Sequence, residues 1–357
     1  MKRVLLVGAG HAHASLLAAL ALKPLYGARM ALVSPEPRQI YSAMLPGVIA
    51  GHYRREEAEF DVAELAARAS VDYLPARIIG LDAAGKTATL DDGQEVHYDF
   101  ASLNAGSAIA QAVPGAADHT LAVKPFERLV NQLRRVSHVA IAGGGAAGVE
   151  LAMALRHRGG EVTVYSERAG FAPPLARRVE RALRRRGVDY RPGMRVDAVE
   201  PGPVVISGSS RQQFDIVLWA SGPAPHPWLA MSGLALDDRG FVRVNETLRS
   251  VSHPHVFAVG DCAGLGEAKS GVHAVRHGTV LEQNFRNLVA GTALVNYEPD
   301  PHALLLLTCG ARYAIAARGA WSAEGRWAWW WKYSIDRRWM KRLRGEQKAE
   351  LSVSASR

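Results

Sequence analysis

Twice in this chain a short apolar run breaks at closely spaced glycines and resumes as an Ala- and Leu-rich stretch. That repeat narrows the fold more than any other feature. The first copy is "VLLVGAGHAHASLLAAL" (Val4–Leu20): Arg3–Val7 reads as a strand, Ala12–Leu22 as a helix and Met30–Val33 as the next strand. The second surrounds "IAGGGAAGVELA", with Val139–Ala142, Ala146–Arg156 and Glu161–Tyr165 in the same roles. Short apolar strands suit a parallel sheet covered on both faces. Parallel neighbours need a crossover, which the helix supplies. The expected class is therefore α/β with two such units.

The glycine spacing says what the units hold. Gly143-x-Gly145-x-x-Gly148 follows a strand and opens a helix. The first glycine permits a tight turn, the second lets backbone approach a pyrophosphate, and the third brings helix and strand close. The helix N-terminus then offers N–H donors to the anion. Glu150, two residues after Gly148, is expected in the first helical turn and among the cofactor contacts. The first copy keeps Gly8 and Gly10 but has His13 where the packing glycine belongs, beside His11. The cost should fall on packing, with the helix pushed off the strand or the side chain turned aside, while binding survives. Both units are Rossmann-like, yet the ribose carboxylate expected after the second strand is replaced by Ser34 and by Ser166. Glu36 and Glu167 are displaced from it, and Arg168 is placed to meet a 2′-phosphate, an argument for NADPH over NADH.

With 357 residues, 48% apolar and 22% charged, the chain has room for two or three domains and the balance of an ordinary globular protein. The net charge of +9 is concentrated late: Arg318–Lys348 holds nine basic and three acidic residues. Cys262 and Cys309 are the only cysteines and are far apart, which excludes a C-x-x-C redox pair and a cysteine zinc site. The first apolar run is cut by Gly8, too short for a leader core, and Ala303–Cys309 is too short to span a bilayer. These readings point to the cytoplasm. His273 and His277 are four apart on an expected helix (Gly271–Leu288) but lack further ligands, so no metal is expected. In the tail, Trp331, Ile335, Trp339 and Leu343 recur at i+4, with Arg337, Arg338, Lys341 and Arg344 mostly off that stripe. Such a helix either packs its stripe inward or lies on the inner face of a membrane. No nucleic-acid-reading module is evident.

Two later segments, "FDIVLWASGPAP" (Phe214–Pro225) and "HVFAVGDCAG" (His255–Gly264), together with both loops, resemble the pyridine nucleotide–disulfide oxidoreductase superfamily, the two-dinucleotide-binding-domain flavoproteins. The resemblance covers about Lys2 to Leu288. It implies FAD on the first unit and NADH or NADPH on the second. The resemblance places Gly260-Asp261 against the FAD ribityl and pyrophosphate, Gly222 in a turn after the second-unit sheet, and Gly106 in the equivalent turn of the first. It implies an FAD-binding part at 1–125 plus 245–295, an NAD(P)H-binding part at 126–244 and a small C-terminal α+β segment at 296–357. Within the superfamily, "GHAH", "YSAMLPGVIAG" (Tyr41–Gly51) and "EGRWAWWWKYSIDRRWM" (Glu324–Met340) are similar to the type II NADH dehydrogenase and sulfide:quinone oxidoreductase branch. They are particularly similar to the module found alone or fused to selenophosphate synthetase.

The departures are specific. No cysteine pair serves a disulfide reductase or a sulfur relay. Val272 and Arg276 stand at the positions of the branch's quinone-motif glutamines. Met44, Leu45 and Pro46 are expected either against the flavin ring or in ordinary packing, and Lys124 either at the flavin, stabilising its reduced charge, or in solvent. The expected function is hydride transfer from NAD(P)H to FAD and on to a quinone or other small acceptor. A reductase of selenium or sulfur species and a non-catalytic flavin-binding partner are the alternatives, and a homodimer is the candidate assembly.

Overall fold

The computed structural model describes residues 1–346 apart from 125, 134 and 135. Pro125, at the expected junction of the two units, and 347–357 of the expected C-terminal segment lie outside the described residues. The first part of the chain forms β1 (Lys2–Val7), α1 (His11–Leu20), β2 (Ala28–Val33), α2 (Leu45–Ile49), β3 (Asp72–Leu74) and β4 (Phe100–Leu103). The second forms β5 (Leu121–Ala122), β6 (His138–Ala142), α3 (Ala146–His157), β7 (Glu161–Ser166), α4 (Pro173–Arg185), β8 (Asp189–Pro192) and β9 (Ile216–Trp219). The chain then returns through β10 (Val256–Ala258) and α5 (Gly271–Ala290). It finishes with β11 (Leu305–Cys309), β12 (Ala311–Arg318), β13 (Trp321–Gly325) and α6 (Arg326–Arg344).

Two five-stranded parallel sheets result, ordered β10-β4-β1-β2-β3 and β5-β9-β6-β7-β8. In each, the glycine-loop strand is central: Leu5 faces Ala31 on one side and Ala101 on the other, and Ile141 faces Val164 and Leu218. The chain winds outward from β1 toward β3, then crosses to β4 on the other side. The crevice beyond the carboxyl ends of the strands at such a reversal is where open α/β sheets bind ligands. Gly8–Gly10 and Gly143–Gly145 sit at those two ends. Three-stranded antiparallel sheets cap each unit, and Ala108–Ile109 pairs with Pro223–Ala224 between them.

The core explains the close packing of the parts. α1 lies against α5, and a β-carbon at Gly278 would collide with the Ala12 carbonyl, so glycine there sets the approach. Strand pairing puts Leu121–Ala122, expected in the first unit, on the edge of the second sheet. Leu229, Leu234 and Val242, expected in the second, share a core with Leu5, Val7 and Leu103 of the first. β11–β13 form one antiparallel sheet packed against α6. The tail stripe divides: Trp331 and Ile335 are exposed, whereas Trp339 and Leu343 are buried. At 3.6 residues per turn an i+4 series drifts about 40° per step, so twelve residues carry it from solvent to core. Among the described residues no helix is long and apolar enough to cross a membrane.

Candidate active site

The first loop turns at Gly8, whose φ of 84° lies in the left-handed region, and a β-carbon there would sit 2.6 Å from the Ala105 Cα. Asn104, which follows β4, staples this turn. Its Oδ1 accepts from the His13 backbone N–H (3.0 Å), its Nδ2 donates to the Val259 carbonyl (3.1 Å), and its own carbonyl accepts from Gly10 N–H (3.3 Å). Sequence reasoning missed Asn104; an asparagine just past a buried strand, facing a glycine loop, was the available signal. Gly10 must be glycine for the same reason, since its β-carbon would meet Asn104 Oδ1 at 2.6 Å.

His13 is fully buried and turns beneath the helix. Its Nδ1 lies 2.6 Å from the Gly8 carbonyl and its Nε2 2.8 Å from Ser102 Oγ on β4. A carbonyl only accepts, so Nδ1 carries the hydrogen and Nε2 accepts from the serine. Burial pushes its pKa down to about 4 against the opposing pull of the Gly8 bond, so the ring is neutral. The side chain neither splays the helix nor turns to solvent. With both nitrogens used by the protein, it braces the loop from below. His11 sits at the first position of α1, its ring 5.4 Å from that of Tyr41 and its Nε2 3.3 Å from Ser42 Oγ. Burial lowers it to about 4, with Asp261 pulling up and Lys124 down.

Asp261 and Lys124, singled out separately in the sequence, form an ion pair. Asp261 Oδ2 accepts from Ser107 Oγ (2.7 Å) and Lys124 Nζ (3.0 Å), and Lys124 also donates to Ser107 (3.0 Å). Burial resists ionisation of Asp261, but the lysine charge and the serine bond outweigh it and hold the carboxyl below its usual range. Gly260 N–H donates to His277 Nδ1 (2.9 Å), leaving His277 Nε2–H to donate to Glu267 (2.7 Å), which also accepts from Tyr297 OH (2.9 Å). His277 is thus a brace for the Gly260-Asp261 turn. Among the described residues no group of three or more His, Cys, Asp or Glu is placed to hold a metal.

The second loop repeats the tight first turn but not the packing of its middle glycine. A β-carbon at Gly143 would collide with the Ala220 carbonyl and one at Gly148 with the Gly143 carbonyl, whereas Gly145 opens onto free space. Gly106 and Gly222, with φ of 76° and 110°, open likewise. Gly170, unremarked in the sequence, lies on the Gly144 carbonyl, so the loop after β7 covers the glycine turn. Neither α1 nor α3 is capped by the side chain of its N-cap glycine, although Asn104 Oδ1 takes the third N–H of α1, that of His13. Ser34 Oγ accepts from Gln39, Ser166 Oγ donates to the Arg168 carbonyl, and the Arg168 side chain is exposed at the end of β7. Helix starts at glycines with no N-cap side chain fit two pyrophosphates, with Gly145 facing open space at the second and Gly8 and Gly10 packed on Ala105 and Asn104 at the first.

A third cluster joins the tail to both units. Glu150 falls one position beyond the first turn of α3, and its Oε1 accepts from Thr308 N–H (2.8 Å) and Oγ1 (2.9 Å), not from a loop donor. Burial raises its pKa, partly countered by Lys332. Lys332 and Asp336, both buried on α6, pair at 2.7 Å, and Lys332 Nζ also donates to the Ala43 carbonyl (2.7 Å). Met44, Leu45 and Pro46 are buried beside it, at the start of α2. Both thiols are buried, and burial pushes each up to about 12.

A family profile described as pyridine nucleotide-disulphide oxidoreductase matches residues 2–278. The chain belongs to that family. It is 26% identical over 252 residues to ferroptosis suppressor protein 1 of Taeniopygia guttata, covering 64% of this chain and 67% of that one. An NADH dehydrogenase-like protein of Bacillus subtilis is 24% identical over 318 residues, covering 84% and 87%. The fold matches a sulfide:quinone oxidoreductase from Aquifex aeolicus (TM-score 0.81, 17% identity, 97% and 92% covered). It also matches NDH2 from Plasmodium falciparum in complex with NADH (TM-score 0.78, 13% identity, 97% and 98% covered). The protein is an NAD(P)H-dependent flavoprotein oxidoreductase of the NADH dehydrogenase-like type.

Proposed function

We propose that the protein takes hydride from NADPH, or less readily NADH, onto FAD held by the first unit and delivers the electrons to a quinone. The observation that carries the cofactor reading is the pair of helix starts, each opening at a glycine without an N-cap side chain, with Gly145 open to space at the second and Asp261 and Lys124 gathered at the first. When bound, the flavin supplies hydride acceptance and onward electron transfer. The chain supplies the rest. Gly8, Gly10 and α1 receive one pyrophosphate, Asp261 accepts from ribityl hydroxyls, and Lys124 places a positive charge nearby. Gly143, Gly145, Gly148 and α3 receive the nicotinamide dinucleotide, with Arg168 at the end of β7 for a 2′-phosphate.

The acceptor reading rests on the Glu150–Lys332–Asp336 cluster. A quinone needs protons as well as electrons, and burial keeps Glu150 protonated to higher pH than a free carboxyl, so it can hold a proton where three elements meet. The solved structure titled sulfide:quinone oxidoreductase shares this fold. The raised thiols of Cys262 and Cys309 disfavour sulfur or selenium relay, which needs a thiolate. Anaerobic mixing with NADPH or NADH, followed by a panel of quinone, polysulfide and selenite acceptors, tests the proposal. Reoxidation by polysulfide or selenite but not by quinone would refute the acceptor.

A further inference from the structure

His277, the second of the two histidines four apart on α5, reaches the turn that carries Asp261. There the peptide between Val259 and Gly260 is gripped at both ends by side chains. Asn104 Nδ2 donates to its carbonyl (3.1 Å), and its N–H donates to His277 Nδ1 (2.9 Å). Gly260 has a φ of 59°, and a β-carbon there would stand 2.4 Å from Asn104 Nδ2, so only glycine fits the clamp. Asp261 is the next residue along, and this peptide plane aims it.

The imidazole is fixed in turn. Glu267, in the loop before α5, accepts from His277 Nε2 (2.7 Å) and from the Tyr297 hydroxyl (2.9 Å). The Tyr297 ring stands edge-on to the imidazole at 4.4 Å. The His277 side chain is 2% exposed, so water cannot take over either of its bonds. Burial resists charge on Glu267, but the bonds from His277 and Tyr297 outweigh it and hold the carboxyl below its usual range. An ionised Glu267 keeps the ring hydrogen on Nε2 and leaves Nδ1 as an acceptor. A peptide N–H only donates, so the other tautomer would set donor against donor at Gly260.

We propose that His277 and Glu267 are positioning residues for the flavin: they hold the 259–260 peptide plane so that Asp261 meets the ribityl chain, and FAD affinity depends on the acceptor at Nδ1. The inference rests on the FAD reading of the first unit. A turn organised before the ligand arrives adds affinity by removing an ordering cost from binding. Packing alone would rank substitutes at 277 by volume, whereas the clamp ranks them by where they place an acceptor. The asparagine oxygen stands at the position of Nδ1 along the side chain. Glutamine puts its polar atoms one bond further out, within reach of Glu267 but not at Nδ1.

The full-length protein, stripped of flavin, is titrated with FAD by calorimetry. H277Q leaves the buried Gly260 N–H without an acceptor and should bind FAD about tenfold or more weakly. H277N should recover most of that loss, although its side chain is the smaller. E267L should weaken binding as well, because nothing then holds the ring hydrogen on Nε2. Nitrogen NMR of the wild-type imidazole needs no variant to fold, and should find Nε2 protonated and Nδ1 not. H277Q as tight as wild type or tighter than H277N, E267L equal to wild type, or a hydrogen on Nδ1 overturns the proposal alone. A wild-type protein that takes up no FAD overturns the flavin reading and this inference with it.

Discussion

Replacing His13 by glycine restores the missing third glycine of the fingerprint, and the structure expects it to destabilise the protein. The substitution strips the Gly8 carbonyl and the Ser102 hydroxyl of their ring partners in a fully buried site. Each of the two orphaned groups costs about 1–3 kcal/mol, and glycine inside a helix adds about 0.5–1 kcal/mol, for a loss of about 2.5–7 kcal/mol. An unfolding entropy of about 2.1 cal/mol/K per residue over 357 residues turns that into a fall in Tm of about 3–9 °C. The pH dependence gives an independent signature. His13 is lowered to about 4 in the folded chain, against about 6.5 unfolded. Its neutral state therefore contributes stability that is complete above pH 6.5 and lost as pH falls toward 4, about 3 kcal/mol in all. The wild-type protein pays that charge at low pH and H13G does not, so the gap between them should narrow by about 2–3 kcal/mol from pH 7.5 to pH 4.5. Calorimetry at both values measures it. A variant as stable as wild type at pH 7.5, or a gap that stays constant with pH, refutes the assignment of His13 as a buried neutral brace.

Three more expectations follow from the other clusters. Lys332→Met strands Asp336 in the interior and should cost about 3–5 kcal/mol, about 4–7 °C in Tm; adding Asp336→Leu should recover most of it, and no recovery would mean the pair is not what the lysine stabilises. Arg168→Ala should raise KM for NADPH about tenfold or more, the worth of a lost charged hydrogen bond, and leave NADH unchanged; equal effects on both would remove the 2′-phosphate role. Iodoacetamide at pH 8 should leave the folded protein's mass unchanged, because both thiols are buried and raised to about 12; rapid labelling of either would contradict their burial.

The two sheets were legible because apolar strands, glycine turns and Ala-rich helices obey local rules. β1, β2, β6, α3 and β7 fall within two residues of their expected ends. Three things were not legible, each depending on distant partners. The direction of His13 depends on Ser102, nearly ninety positions away. The role of Glu150 depends on Thr308, which arrives from the C-terminal sheet. The split of the tail stripe depends on which turn of α6 first meets the core, and an i+4 pattern cannot reveal that drift. The pairing of Asp261 with Lys124 was half legible. Each residue was singled out, but only the meeting of the Ser107 loop with the Gly260 turn joins them.

The central claim is that one chain receives hydride from a nicotinamide cofactor on its own flavin and hands the electrons to a quinone. Stopped-flow absorbance under anaerobic conditions tests it in one series. The account predicts that NADPH, and NADH more weakly, bleaches the FAD band in a single turnover, and that a short-chain quinone then restores it. A protein that stays colourless after reconstitution with FAD, or a flavin that neither cofactor bleaches, would contradict it.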